Sequence, residues 1–152
     1  MKILLAIDGS AFSLEVARHA LRNAKQGLRA SLVLVNVQEP ASLYEIVVAH
    51  DAEVIRQVRS AAGADLLAPA EALLDAAGVA FESEVAGGAP AATLLELTEN
   101  YGCSAIIAGA RGLGAASIEG LGSVVESLLL HSPVPVTVVR LPAAATEGEG
   151  AA

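Results

Sequence analysis

"KILLAIDGSAFSLEVARHALRNAKQGLRASLVLVNV", residues 2–37, decides the fold. Its two ends, KILLAI (2–7) and SLVLVNV (31–37), are near-continuous apolar runs, as expected of parallel strands buried on both faces. Between them Phe12, Val16, Ala20 and Ala24, with Ala17 and Leu21, form an apolar stripe at helical spacing. Ser10 supplies an N-cap and Gly27 a stop. Strand, helix and strand in this order make a β-α-β unit, in which the strands run parallel.

The rest of the chain repeats the alternation. VAFESEV (79–85) is a third strand, with Val79, Phe81, Ser83 and Val85 on one side. SAIIAG (104–109) and VPVTVVR (134–140) bring the number of strands to five. A helical region covers residues 44–77, with a break expected near Gly63 or at Pro69. APAATLLELTENYG (89–102) has Pro90 in its first turn and Gly102 just past its end, and SVVESLLLH (123–131) stops before Pro133. The expectation is a single α/β domain over residues 1–141, a doubly wound five-stranded parallel sheet with about four helices on its two faces. Residues 142–152 lack any periodic pattern and read as a flexible acidic tail.

Composition narrows the function. A chain of 152 residues, 54% hydrophobic and 17% charged, is long enough for a core without staples. Its net charge of −8 opposes electrostatic binding to nucleic acid or anionic lipid. The apolar run ILLAI ends at Asp8, too short for a secretory segment, and no later run is long enough to span a membrane. The single cysteine, Cys103, can form no intrachain disulfide and reads as a core residue. His19, His50 and His131 share no ligand spacing, so no metal or catalytic role is expected of them, and Glu82 and Glu84 read as solvated charges. A cytoplasmic protein is expected.

GARGLGAASIEGLGS, residues 109–123, puts five glycines into fifteen positions between the fourth strand and the last helix. Open α/β sheets bind ligands beyond the carboxyl ends of their strands, where this segment falls beside IDGS and VQEP. Glycines let backbone N–H groups approach an anion, and a helix N-terminus adds unpaired donors and a partial positive charge. The loop is not a Walker A loop, because Leu121-Gly122 precede Ser123 where Gly-Lys is required. Nor does the first strand lead into a dinucleotide fingerprint, since Asp8-Gly9-Ser10-Ala11 stands there.

Gly109, Gly112, Gly122 and Ser123 spell G-x2-G-x9-G-S, which resembles the ATP-binding branch of the universal stress protein family. ILLAIDGS, the Gly-x-Pro helix segment and GSVVESLLLHSPVPVTVVR extend the likeness over about 140 residues, with residues 38–70 the least distinctive. The resemblance implies a Rossmann-like fold of the adenine nucleotide alpha hydrolase type. It also implies roles for residues. Asp8 would lie beside the nucleotide, the Val37 backbone would bond adenine, and Gly109 would lie against the ribose. Gly112, Gly122, Ser123 and the Val124 amide would hold the phosphates of ATP, with magnesium, and Arg111 is the loop's cation. Two departures stand out: Ala110 where Ser or Thr is frequent, and Ser117-Ile118-Glu119 where a basic residue is frequent. They leave ADP and AMP as alternatives to ATP.

The last strand reads as a sheet edge, and the resemblance implies a homodimer through it. Pro133 and Pro135 limit pairing at its start and leave the stretch from Val136 to Arg140 open. No catalytic set is apparent, so a regulatory or stress-response module that binds an adenine nucleotide is the leading expectation. Nucleotide binding would order residues 110–122 and alter dimer or partner contacts. The alternatives are slow ATP hydrolysis or adenylyl transfer involving Asp8 or Glu119, and a structural dimer that has lost its ligand.

Overall fold

The computed structural model describes residues 1–39, 51–112 and 120–142. The expected start of the second helix near Tyr44, His50, the Ser117-Ile118-Glu119 stretch and tail residues 143–152 lie outside the described residues. Strands and helices alternate: β1 (Lys2–Ala6), α1 (Ala11–Lys25), β2 (Ser31–Gln38), α2 (Ala52–Ala76), β3 (Phe81–Gly87), α3 (Pro90–Asn100), β4 (Ala105–Gly109), α4 (Ser123–His131) and β5 (Val136–Val139). The five strands form one sheet in the order β3-β2-β1-β4-β5. Every pair is parallel. The strand order reverses between β1 and β4, which places the switch point beside the glycine-rich segment.

Strand periodicity divides the core in two. Ile3 and Leu5 of β1 and Leu32 and Leu34 of β2 face α1 and α2, where Val16, Ala17, Leu67 and Leu74 cover them. Leu4, Val33, Val35 and Ile106 face α3 and α4, where Leu94, Leu97, Val125 and Leu128 do the same. The continuous apolar runs in the sequence thus serve two cores at once. Among the described residues no helix is long and apolar enough to cross a membrane.

Ser10 caps α1 as its sequence implies, accepting the Ser13 N–H, and Gly27 beyond the helix takes φ +103°. The expected break in the second helix does not occur, because α2 runs unbroken through Gly63 and Pro69. Gly63 is buried, and an added Cβ would collide with Val85, so it is a point of close packing rather than a breaker. Pro69 and Asp65, whose carbonyl loses its helical donor, are both exposed, so water can take that donor's place. An interior proline costs about 3 kcal/mol. Burying Leu67 and Leu74 on either side of it returns about 1.5–3 kcal/mol each, so the helix continues.

β3 begins two residues later than its alternation suggests. The Val79 N–H donates to the Leu74 carbonyl at 3.0 Å and closes the end of α2, which removes it from the sheet ladder. The expected face is kept: Val79, Phe81 and Val85 pack on the α1–α2 core, and Ser83 Oγ donates to Glu71 of α2 at 2.7 Å. The last helix begins as expected at Ser123, but Gly122, not the serine, occupies its N-cap position.

At the other end of the sheet Cys103 is buried, and burial pushes its thiol up, as suits an inert core residue. Glu82 and Glu84 are not simply solvated. Lys2 Nζ lies 3.9 Å from Glu82 and 5.5 Å from the centre of the Tyr101 ring. The Tyr101 hydroxyl donates to Glu84 at 2.6 Å. That bond, first among the causes, pushes the Tyr101 pKa from 10.0 up to about 12. The folded state therefore favours the protonated phenol: its contribution to stability is complete below pH 10.0 and is lost as pH rises through about 12. Denaturant unfolding at several alkaline pH values should show wild type losing stability more steeply across that interval than Tyr101→Phe. Parallel pH profiles would contradict this.

Candidate nucleotide site

A cavity of about 720 Å³ opens at the carboxyl ends of β1, β2 and β4, between the helices of the two faces. Its volume lies within the roughly 300–1,000 Å³ usual for small-molecule sites. The eight candidate residues, although scattered from position 8 to position 124, all line it. Asp8 follows β1, Val37 belongs to β2, and Gly109, Arg111 and Gly112 end β4 and follow it. Gly122, Ser123 and Val124 supply the wall at the start of α4.

The loop's neck is held by main-chain hydrogen bonds. The Ala110 N–H donates to the Val139 carbonyl at 2.8 Å, and the Gly122 N–H donates to the Ala110 carbonyl at 2.7 Å. Ala110 is fully buried and is not on the cavity wall. A hydroxyl is therefore not lost from the cavity lining at this position. Gly122 spends its own N–H on the neck, so what it offers the cavity is space: a Cβ there would stand 3.3 Å from Arg111 Cα. Gly122 has no side chain with which to cap α4, and the first-turn N–H groups of Ser123, Val124 and Val125 have no intrahelical acceptor. They carry the partial positive charge of the helix end to the cavity.

The other glycines set distances. At Gly109 a Cβ would lie 2.6 Å from that of Phe12, so only glycine lets the end of β4 meet the start of α1 this closely. At Gly112 a Cβ would collide with the Asp8 carboxylate. Asp8 Oδ1 accepts the Ser10 N–H at 2.9 Å, fixing the turn into α1, while Oδ2 lies toward Gly112. Asp8 therefore braces a turn and lines the cavity together.

Several lining residues gave no sequence signal. Ser13, in the first turn of α1, accepts the Gly9 N–H at 3.1 Å and donates to the Ser10 carbonyl at 2.9 Å. Arg59 reaches the cavity from α2 and donates to the carbonyl of Glu39, another lining residue. Among the described residues, Arg59 and Glu39 thus join Arg111 and Asp8 as charged residues of the lining. Asn36, 2% exposed, donates from Nδ2 to the Ile7 carbonyl at 2.9 Å and joins the ends of β2 and β1. These positions sit among ordinary helix and strand residues, and only the fold brings them to the loop. Among the described residues no three His, Cys, Asp or Glu side chains gather as a metal site.

Comparison with known proteins agrees with the fold. The universal stress protein family model matches residues 1–140. The chain is 33% identical over 146 residues to universal stress protein YxiE of Bacillus subtilis, covering 91% of this chain and 98% of that one. It is 28% identical over 141 residues to universal stress protein MJ0531 of Methanocaldococcus jannaschii, covering 93% and 82% respectively. In three dimensions it superposes with a TM-score of 0.70 on a universal stress protein family protein of Arabidopsis thaliana solved with AMP bound, at 20% identity and over 99% and 98% of the two chains. The chain belongs to the universal stress protein family.

Proposed function

We propose that this protein is a cytoplasmic adenine-nucleotide-binding member of the family's ATP-binding branch, acting as a regulatory or stress-response module. The observation that carries the proposal is the convergence of the eight residues on one cavity, at a helix end whose N-cap position is a glycine. The AMP bound to the Arabidopsis relative supports it. In this proposal the Val37 backbone bonds the adenine and Gly109 lies against the ribose. Gly112, Ser123 and Val124 present N–H groups to the phosphates, with Gly122 supplying room and Arg111 supplying charge. Magnesium would accompany a triphosphate, and Asp8 offers the single protein oxygen that such a largely hydrated ion needs. ATP, ADP and AMP differ in how many phosphates must share the helix end, and a lining that includes Asp8 and Glu39 beside Arg59 and Arg111 favours fewer.

The sheet's edges differ in a way that supports dimer formation through β5. The β3 edge carries Glu82 and Glu84, whereas β5 reads Val-Thr-Val-Val. The register with β4 turns the N–H groups of Val136 and Val138 away from β4, toward a potential partner strand. Leu129 and Leu130 of the neighbouring α4 are also exposed, the latter at 79%.

Calorimetry with adenosine, AMP, ADP and ATP, with and without magnesium, tests nucleotide binding. Ser123→Pro is the informative variant. Proline is well tolerated at a first helical position, and the preceding Gly122, at ψ 161°, already has the extended backbone it requires. It removes the Ser123 donor, and a hydrogen bond to a charged group contributes about 1.5–3 kcal/mol. AMP affinity should fall roughly tenfold or more while adenosine affinity holds. No heat from wild type at millimolar nucleotide would contradict the proposal.

Sedimentation should show a dimer in wild type and a monomer in Val138→Pro, which removes an outward N–H but no donor to β4. A dimer in both would contradict pairing through β5.

A further inference from the structure

We propose that Gln38 is a specificity-determining residue whose amide polarity, set by Asn36, selects a ligand base with an exocyclic amino group over one with a carbonyl in that place. The inference rests on the nucleotide-binding reading above and assigns within it a residue that the glycine motif does not include.

The chain of reasoning starts at a carbonyl. A side-chain amide has a donor end and an acceptor end of nearly the same shape, so only its partners decide which way it points. The Ile7 carbonyl can only accept. It receives Asn36 Nδ2 at 2.9 Å, so Oδ1 of Asn36 must face the other way. There it receives Gln38 Nε2 at 2.7 Å. Reversing the Gln38 amide would set two oxygens against each other beside Asn36, which is 2% exposed and has little water to compensate. Each amide is therefore held in one orientation, and Oε1 of Gln38 is the end left to a ligand.

Packing enforces the arrangement. Gly63 of α2 lies against Asn36, and a Cβ there would stand 2.9 Å from its Oδ1. This close approach of α2 helps keep Asn36 in place. Asn36, Val37 and Gln38 all line the cavity, and Val37 is the position proposed to bond the base. Gln38 is only partly buried, so its amide is within reach of a bound molecule. An oxygen at that point accepts from the 6-amino group of adenine and opposes the 6-oxo group of hypoxanthine.

The test is the ratio of calorimetric affinities for AMP and IMP in wild type, Gln38→Leu and Asn36→Ala. Wild type should prefer AMP, and Gln38→Leu should reduce that preference roughly tenfold by removing the acceptor. Asn36→Ala should also reduce it with Gln38 still present, because the glutamine amide can then turn over. That second result identifies Asn36 as a positioning residue. If Asn36→Ala does not fold, the half-buried Gln38→Leu decides the matter by itself. Binding of both nucleotides with an unchanged ratio in Gln38→Leu would overturn this inference alone. Binding of neither by wild type would overturn the nucleotide-binding proposal, and this inference with it.

Discussion

The hydrogen bonds through Ala110 are the constraint on which the site depends. One ties the end of β4 to β5, and the other ties the residue before α4 back to β4. Both are buried main-chain bonds at a residue with no exposure, where a lost partner would cost about 1–3 kcal/mol. They fix where α4 starts. Without them the helix would still cover its face of the sheet through Val125 and Leu128, but its first turn would not be directed at the cavity.

In the proposed site, main-chain groups would make most of the contacts. Asp8 and Glu39 stand beside Arg59 and Arg111 on the wall, so its side chains supply no strong excess of either charge. An anion entering it would meet oriented N–H groups and a helix end rather than a cluster of lysines. The glycines make this possible by keeping Cβ atoms out of the space between Asp8, Arg111 and the start of α4. The field at a helix end is local, so a net charge of −8 on the whole protein does not cancel it there.

Much of this was legible in the sequence, for physical reasons that differ between elements. Parallel strands buried on both faces leave continuous apolar runs, so KILLAI and SLVLVNV were plain. α4 was bounded to the residue by the glycine-rich stretch before it and Pro133 after it. α2 was misread because Gly63 and Pro69 are punctuation only where nothing packs against them. A glycine that admits Val85 and a proline on the solvent side interrupt nothing. In the site, IDGS, VQEP and the glycine-rich loop stand out because that edge is where such sheets hold ligands, and the individual residues come from the family resemblance. Asn36, Ser13 and Arg59 do not stand out, since a buried asparagine in a strand, a serine in a first turn and an arginine on a helix look ordinary until the sheet order places them together.

The most direct measurement is a nuclear magnetic resonance titration of isotope-labelled protein with AMP, following each backbone amide. If the first turn of α4 and the glycine after β4 hold the phosphate, the amides of Gly112, Ser123 and Val124 should shift most. Their exchange with solvent should slow as the cavity fills. Saturation that leaves these three unmoved, with the changes confined to surfaces away from the cavity, would show that the nucleotide binds elsewhere and that the helix end holds no phosphate.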